Sequence, residues 1–291
     1  MSRRQVLVVL AATISSVGIA VAAEQPIVGA LKLRRTAKSV PDVFEEVVPT
    51  TGRATSVAFG DALQKLIAAG VIDPDKFRGS ANDLPHWVER LLREPSSEPI
   101  VFDRATAPHL VNLLWPIGLA NQVPFNERSN INTLRIPTFA STGGWTAGRQ
   151  DGYRYFNRVA AVRLTPAQQT LVLKAAATAY RPCCDNSTFF QDCNHGSALL
   201  GLFELAAAQG ATLDQLYQLG LTANAYWFPE NYAKTALYFA HYYGKSWRQV
   251  DARRALSATF SSASGWQKNV AYPLMRANIT LPGAVTGQQG C

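Results

Sequence analysis

Three of the four cysteines and one of the four histidines of this 291-residue chain lie within thirteen positions. They are Cys183, Cys184, Cys193 and His195, in a predicted loop and at the start of a predicted apolar helix. The unpaired N–H groups and positive dipole of a helix start stabilise a thiolate and disfavour a protonated imidazole. Thiolates and neutral imidazoles bind soft and borderline metals, so the four residues predict a metal site. Zinc or copper suits this ligand set, and an iron–sulfur cluster fits its spacing less well.

The residues next to these ligands refine the prediction. Because the side chains of adjacent residues diverge, we expect one member of the Cys183–Cys184 pair to reach a shared metal and the other to point elsewhere. The carboxylates of Asp185 and Asp192 could supply oxygen ligands or orient the imidazole.

Two other interpretations of the cluster stay open. In an oxidising compartment four cysteines could form two disulfides, Cys184 with Cys193 and Cys183 with the C-terminal Cys291. The chain would then be a stapled, non-enzymatic binding or interaction protein. Alternatively, Cys193 and His195 could form the catalytic pair of a thiol-dependent enzyme. That alternative is weaker, because side chains two positions apart on a helix point to different sides.

The elements that must position this cluster are predicted to be helices. The spacing of apolar residues and the capping residues predict a mainly α fold with a C-terminal bundle of about five helices over 158–291. Thr165–Pro166, Thr212 with Gln215, and Ser246 with Gln249 are typical helix starts. Residues 23–157 are predicted to be an irregular and partly helical N-terminal portion, with no clear periodicity over 24–54.

A long Gly/Pro/aromatic loop is predicted over 121–157, with short strands around Thr133–Phe139. Long ordered loops tend to be functional. We expect Gly143, Gly144 and Trp145 to cover an aromatic pocket to which Trp227 and His241 contribute.

The N-terminus predicts export. Residues 1–22 combine Arg3 and Arg4, an apolar stretch and a small-residue cleavage site, as in a signal peptide. The pattern around the two arginines resembles a twin-arginine signal; an ordinary secretory signal and an uncleaved membrane anchor are the alternatives. We therefore expect a periplasmic or extracellular protein, membrane-anchored if the signal is not cleaved.

Charge and motifs exclude several function classes. The formal net charge is +8, or +6 without Arg3 and Arg4, but the basic residues are scattered. No basic stripe with interleaved aromatics indicates nucleic-acid binding. The densest basic group, Lys32–Arg35, could associate weakly with an anionic membrane surface. Nucleotide loops, nucleophile elbows, HExxH helices and haem-attachment motifs are lacking.

Four short segments carry a resemblance to a known family. They read FASTGGW at 139–145, RPCC at 181–184, CNHG at 193–196 and YWFP at 226–229. These segments are similar to signatures of an uncharacterised exported bacterial protein family. The resemblance covers roughly the second half of the chain. It implies that the Gly-Gly-Trp loop and the cysteine loop belong to one unit, and it implies no activity.

Overall fold

The computed structural model describes residues 40–79 and 84–281, and over these residues the protein is mainly helical. Before residue 121 the helices are α1 (Val40–Val47), α2 (Ala62–Ala68), α3 (Pro74–Gly79), α4 (His86–Arg93) and α5 (Ala107–Ala120). After residue 157 they are α6 (Pro166–Thr178), α7 (Asn194–Ala208), α8 (Leu213–Trp227), α9 (Pro229–Tyr243), α10 (Ala252–Ala255), α11 (Ala258–Ser261), α12 (Ala263–Trp266) and α13 (Tyr272–Arg276). The predicted mainly α class is confirmed.

The predicted helix starts have different outcomes. Thr165 and Thr212 form full capping boxes at α6 and α8. Ser246 also forms a capping box, but it opens only the 3-10 turn Trp247–Gln249. Gly244 ends α9 in a left-handed conformation with φ of 63°, which glycine adopts at little cost.

The centre of the fold is the crossing of α5 and α7. Every residue of α7 from His195 to Ala207 is buried, as its apolar pattern predicts. Gly118 and Gly201 let the two backbones meet, since a Cβ on Gly118 would lie 1.9 Å from the Ser197 carbonyl oxygen. The first turn of α7, which carries the cysteine site, is therefore fixed in position by α5.

The segment between α5 and α6 is irregular, as predicted, but its expected strands are wrong. Around Thr133–Phe139 the chain forms a 3-10 turn over Ile136–Thr138. The local bonds Ile136 N–H to Thr133 O and Thr138 N–H to Arg135 O replace strand pairing. The loop is hydrogen-bonded to the connection between α2 and α3, because the Trp145 indole N–H donates to Val71 O at 2.7 Å.

Two features of the N-terminal portion were not predicted. Residues 40–47 form α1, which packs against α9, although no clear periodicity marks 24–54. A small antiparallel sheet pairs β1 (Arg53–Ala54) with β2 (Val101–Phe102), with Arg53 opposite Phe102. Two-residue strands are too short for an alternating pattern to predict them.

Several expectations fall outside the described residues. They are the signal peptide of 1–22, the basic group Lys32–Arg35 and the C-terminal Cys291. Among the described helices, none has the length and apolar character that a membrane span requires.

Candidate metal centre

A turn and a helix start bring three sulfurs together. Pro182 and Cys183 occupy the middle of a turn whose Cys184 N–H approaches the Arg181 carbonyl oxygen at 3.5 Å. Cys193 is the N-cap of α7, and its Sγ accepts a hydrogen bond from the Gly196 N–H at 3.3 Å. The Sγ atoms of Cys183, Cys184 and Cys193 all lie within 4.8 Å of one another.

Both members of the adjacent cysteine pair belong to this group, contrary to our expectation that one would point elsewhere. The expectation assumed extended backbone, in which successive side chains alternate between opposite faces. In a turn the chain reverses between Arg181 and Cys184, so adjacent side chains can converge.

The three sulfurs are not bonded to one another. Cys183 Sγ and Cys193 Sγ lie 3.6 Å apart, whereas a disulfide bond is about 2.05 Å long. Because none of these three sulfurs is bonded to another, the predicted Cys184–Cys193 bridge is wrong for this structure. The predicted bridge from Cys183 to Cys291 involves a residue outside the described part of the chain.

Arg181 is the buried cation of the site. Its side chain is fully buried, and its Nε donates to Cys193 Sγ at 3.2 Å. Its Nη1 donates to Asn186 O at 2.8 Å, and its Nη2 pairs with the carboxylate of Asp192. Burial acts to lower the pKa of Arg181, but the negative charges of the nearby sulfurs and Asp192 outweigh it and raise the pKa.

Gly196 makes room for this guanidinium. A Cβ at position 196 would lie 2.6 Å from the Arg181 Cζ atom. The cation therefore lies directly against the first turn of α7, where the helix dipole is unfavourable for positive charge. The acceptors around the guanidinium compensate for this, because Cys193 Sγ, Asn186 O and the Asp192 carboxylate all bind it. The cysteine site and Asp192 therefore form one polar unit with Arg181.

The two carboxylates near the cysteines have different roles. Asp192 binds Arg181, accepts from Asn186 Nδ2 at 2.7 Å and lies 3.7 Å from Cys184 Sγ. Asp185 instead accepts from the Ser264 N–H and hydroxyl, both at 2.8 Å, which fixes the loop to α12. These hydrogen bonds lower the pKa of Asp185. Asp192, and not Asp185, is the carboxylate next to the sulfurs.

The pKa of the Cys184 thiol is set by its neighbours as well as by burial. A hydrogen bond from Cys183 lowers its pKa, but the hydrogen bond with Cys193 and burial raise it, to about 12 overall. Its proton therefore depends on its sulfur neighbours, as expected for thiols that share a small space.

His195 lies in an aromatic environment. The imidazole is buried, with its ring centroid 4.7 Å from that of Phe228 and 5.7 Å from that of Trp227. Burial lowers its pKa to about 4, with Cys193 opposing and Arg181 adding to the shift. The close group of ligand atoms consists of the three thiols and does not include this imidazole. Its role as a fourth ligand stays a prediction.

The residues expected to form a covered pocket separate into different places. Gly144 and Trp145 line a cavity of about 150 Å³ together with Phe77, His109 and Trp115. Gly143 lies in a tight turn, since a Cβ there would be 1.9 Å from Pro137 O. Trp227 is buried in contact with the His195 ring, and His241 is exposed at the end of α9. Neither Trp227 nor His241 lines this cavity.

The Gly-Gly-Trp loop and the cysteine loop touch each other. The Ser141 N–H donates to Asp192 O at 3.2 Å, and the Trp115 indole N–H donates to Ser141 O at 2.6 Å. The residue preceding Cys193 is thereby linked through the loop to α5.

Sequence reasoning missed two charged groups. Arg181 has no predicted role beyond its place in the RPCC segment, although a basic residue beside clustered cysteines signals a counter-ion. Glu204 lies fully buried in α7, where burial raises the pKa of its carboxyl and the Asn121 side chain offsets this in part. The signal was present, because Glu204 is the one acidic residue in the apolar sequence 194–208.

Comparisons with known proteins add no assignment. No family model matches the chain, and no match is found among curated proteins or solved structures. The resemblance to an exported bacterial family stays a prediction.

Proposed function

We propose that this protein is an exported metal-binding protein that holds one soft metal ion through the thiolates of Cys183, Cys184 and Cys193. The observation that carries the proposal is the convergence of three sulfurs within 4.8 Å of one another. Two thiolates that share a zinc ion lie roughly 3.5–4 Å apart, as Zn–S bonds of about 2.3 Å require. The 3.6 Å between Cys183 Sγ and Cys193 Sγ fits this separation.

Charge balance favours zinc over cuprous copper. Three thiolates and the Asp192 carboxylate carry four negative charges, and a divalent ion with the buried guanidinium of Arg181 supplies three positive ones. One net negative charge then remains, whereas a monovalent ion would leave two. Because burying net charge is costly, the site with Arg181 matches a divalent ion better.

The arrangement suits metal handling better than a permanent structural role. Structural zinc sites have four protein ligands, whereas sites with three leave a position for water or an incoming ligand. Cys193 is buried, but Cys183 and Cys184 are partly exposed. Two accessible thiols beside a buried one would let a metal enter and leave without opening the core.

The test is metal analysis of the full chain, purified from its native compartment without added metal. We expect about one zinc per chain in the wild type and a loss of the metal in Cys193→Ser. Cys291→Ser is the matched control, because Cys291 lies outside the proposed ligand set. A wild-type protein without metal, or equal metal content in Cys193→Ser, would overturn the proposal.

Export is tested separately by fractionation of the source cells. The signal in residues 1–22 supports export, so we expect the protein outside the cytoplasm and Arg3→Lys/Arg4→Lys to block a twin-arginine route. Wild-type protein retained in the cytoplasm would contradict export. An unaffected double variant would indicate an ordinary secretory signal.

The two rival functions lack a supporting observation. A disulfide-stapled protein would need bonded sulfurs, but the three described cysteines are not joined to one another. For a thiol-dependent enzyme, both Cys193 and His195 are buried, so a substrate could reach them only after the loop moved.

A further inference from the structure

Two of the three sulfurs are placed to react with each other as well as to bind a metal. Cys183 Sγ and Cys193 Sγ lie at 3.6 Å, in van der Waals contact. Formation of a disulfide of about 2.05 Å requires them to approach by roughly 1.5 Å. Cys183 lies in a turn outside the helices, where its side chain can rotate without disturbing helix packing.

We propose that Cys183 and Cys193 form a dithiol that undergoes thiol–disulfide exchange with an external disulfide. That disulfide is either a small molecule such as oxidised glutathione or a disulfide of another protein. The exchange controls metal binding, because a Cys183–Cys193 bond removes two of the three metal ligands and releases the metal. The release step rests on the proposed metal-binding function, whereas the exchange step does not.

The exposure of the two cysteines determines the order of events. Cys183 is partly exposed and Cys193 is only 4% exposed, so the Cys183 thiolate attacks one sulfur of the external disulfide. A mixed disulfide forms, and the other sulfur of the reagent leaves as a thiolate. Cys193 Sγ then attacks Cys183 Sγ and expels the second reagent thiolate. Overall the protein loses two electrons and two protons, and the external disulfide becomes two thiols.

The buried surroundings of Cys193 favour the reverse reaction, which is reduction of the Cys183–Cys193 disulfide. When a thiol reductant attacks Cys183 Sγ, the Cys193 sulfur is the leaving group. Arg181 Nε and the Gly196 N–H lie 3.2 and 3.3 Å from that sulfur and stabilise its negative charge. Cys184 remains outside the bond, close to Asp192 at 3.7 Å. The exchange is therefore reversible, with one ligand always kept as a thiol.

The experiment treats the full chain with oxidised glutathione, in a metal-free and a zinc-loaded sample. Three quantities are measured: thiols after denaturation, zinc released to a chromogenic chelator, and cross-linked peptides by mass spectrometry. We expect a loss of two thiols per chain, a peptide that links Cys183 to Cys193, and release of the bound zinc. Cys291→Ser, the matched control, should lose the same two thiols. Cys193→Ser should lose only one, as a glutathione adduct on Cys183.

The wild-type peptide map decides the question without any variant. A cross-link that joins Cys184 or Cys291 to another cysteine, or full retention of all thiols, would overturn the exchange proposal. If the protein binds no zinc but forms the Cys183–Cys193 bond, the metal function fails and the exchange stands. If zinc binds and the bond never forms, the reverse holds.

Discussion

Arg181→Met should lower the free energy of unfolding of the metal-free protein by about 3–5 kcal/mol, because it leaves buried negative charge without its partner. The guanidinium is fully buried and has polar contacts with Cys193, Asn186 and Asp192. Methionine fills much of the same volume and donates no hydrogen bond. The Asp192 carboxylate and the sulfurs would then lie next to a positive helix start alone, which compensates them only in part.

The magnitude follows from the kind of contact that is lost. Hydrogen bonds that involve a charged group contribute about 1.5–3 kcal/mol each, and they are not additive within one network. Removing one member of this ion pair costs more than losing any single hydrogen bond, because the Asp192 carboxylate, whose side chain is 19% exposed, is resolvated only in part. Arg181→Met/Asp192→Asn should therefore lose less stability than the two single changes together predict.

The assay is urea-induced unfolding with a metal chelator present, so that only protein contacts contribute. Arg149→Met is the matched control, since its guanidinium is 59% exposed and lies 3.8 Å from Asp73. That change should cost no more than about 1 kcal/mol. The reasoning would be refuted if Arg181→Met were as stable as the Arg149 variant, or if the double variant lost the full sum.

Three further predictions concern the scaffold. Glu204→Gln should stabilise the protein at pH 8 and change its stability little at pH 4. The reason is that burial raises the pKa of the Glu204 carboxyl in the folded protein. Wild-type stability therefore falls as the pH rises above the unfolded pKa, by up to about 1.4 kcal/mol per pH unit, until the folded pKa is reached. Urea unfolding at several pH values checks this, and equal slopes in both proteins would contradict it. Gly118→Ala should cost about 1–3 kcal/mol or more, because the Cβ would lie 1.9 Å from Ser197 O; an unchanged melting temperature would show that α5 and α7 separate easily. Thr212→Ala should cost about 1 kcal/mol through loss of its capping box, and unchanged calorimetric stability would argue against that cap.

Most helices could be predicted because their signals are local. The capping boxes at Thr165 and Thr212, and the Pro229 to Gly244 limits of α9, depend on residues a few positions apart. A proline inside a helix usually kinks or ends it, but α5 continues past Pro116 to Ala120. Pro116 is buried, and the packing of α5 against α7 stabilises the helix despite the missing backbone hydrogen bond.

The site was only partly predictable, because its geometry depends on a turn and on partners distant in sequence. The cysteines were identified by their clustering, but the convergence of both adjacent thiols depends on the turn at Pro182. The imidazole of His195 was expected to be neutral because of the helix dipole. Its pKa is lowered mainly by burial, against Trp227 and Phe228 from another part of the chain.

X-ray absorption spectroscopy of the zinc-loaded protein tests the central claim most directly, because it counts the sulfur atoms bound to the metal. The account predicts three sulfur ligands at about 2.3 Å, with a lighter atom in any further position. Cys184→Ser should reduce the number of sulfur ligands by one, since its thiol belongs to the group of three. A zinc ion with one sulfur ligand or none would contradict the claim that these three cysteines form a metal centre.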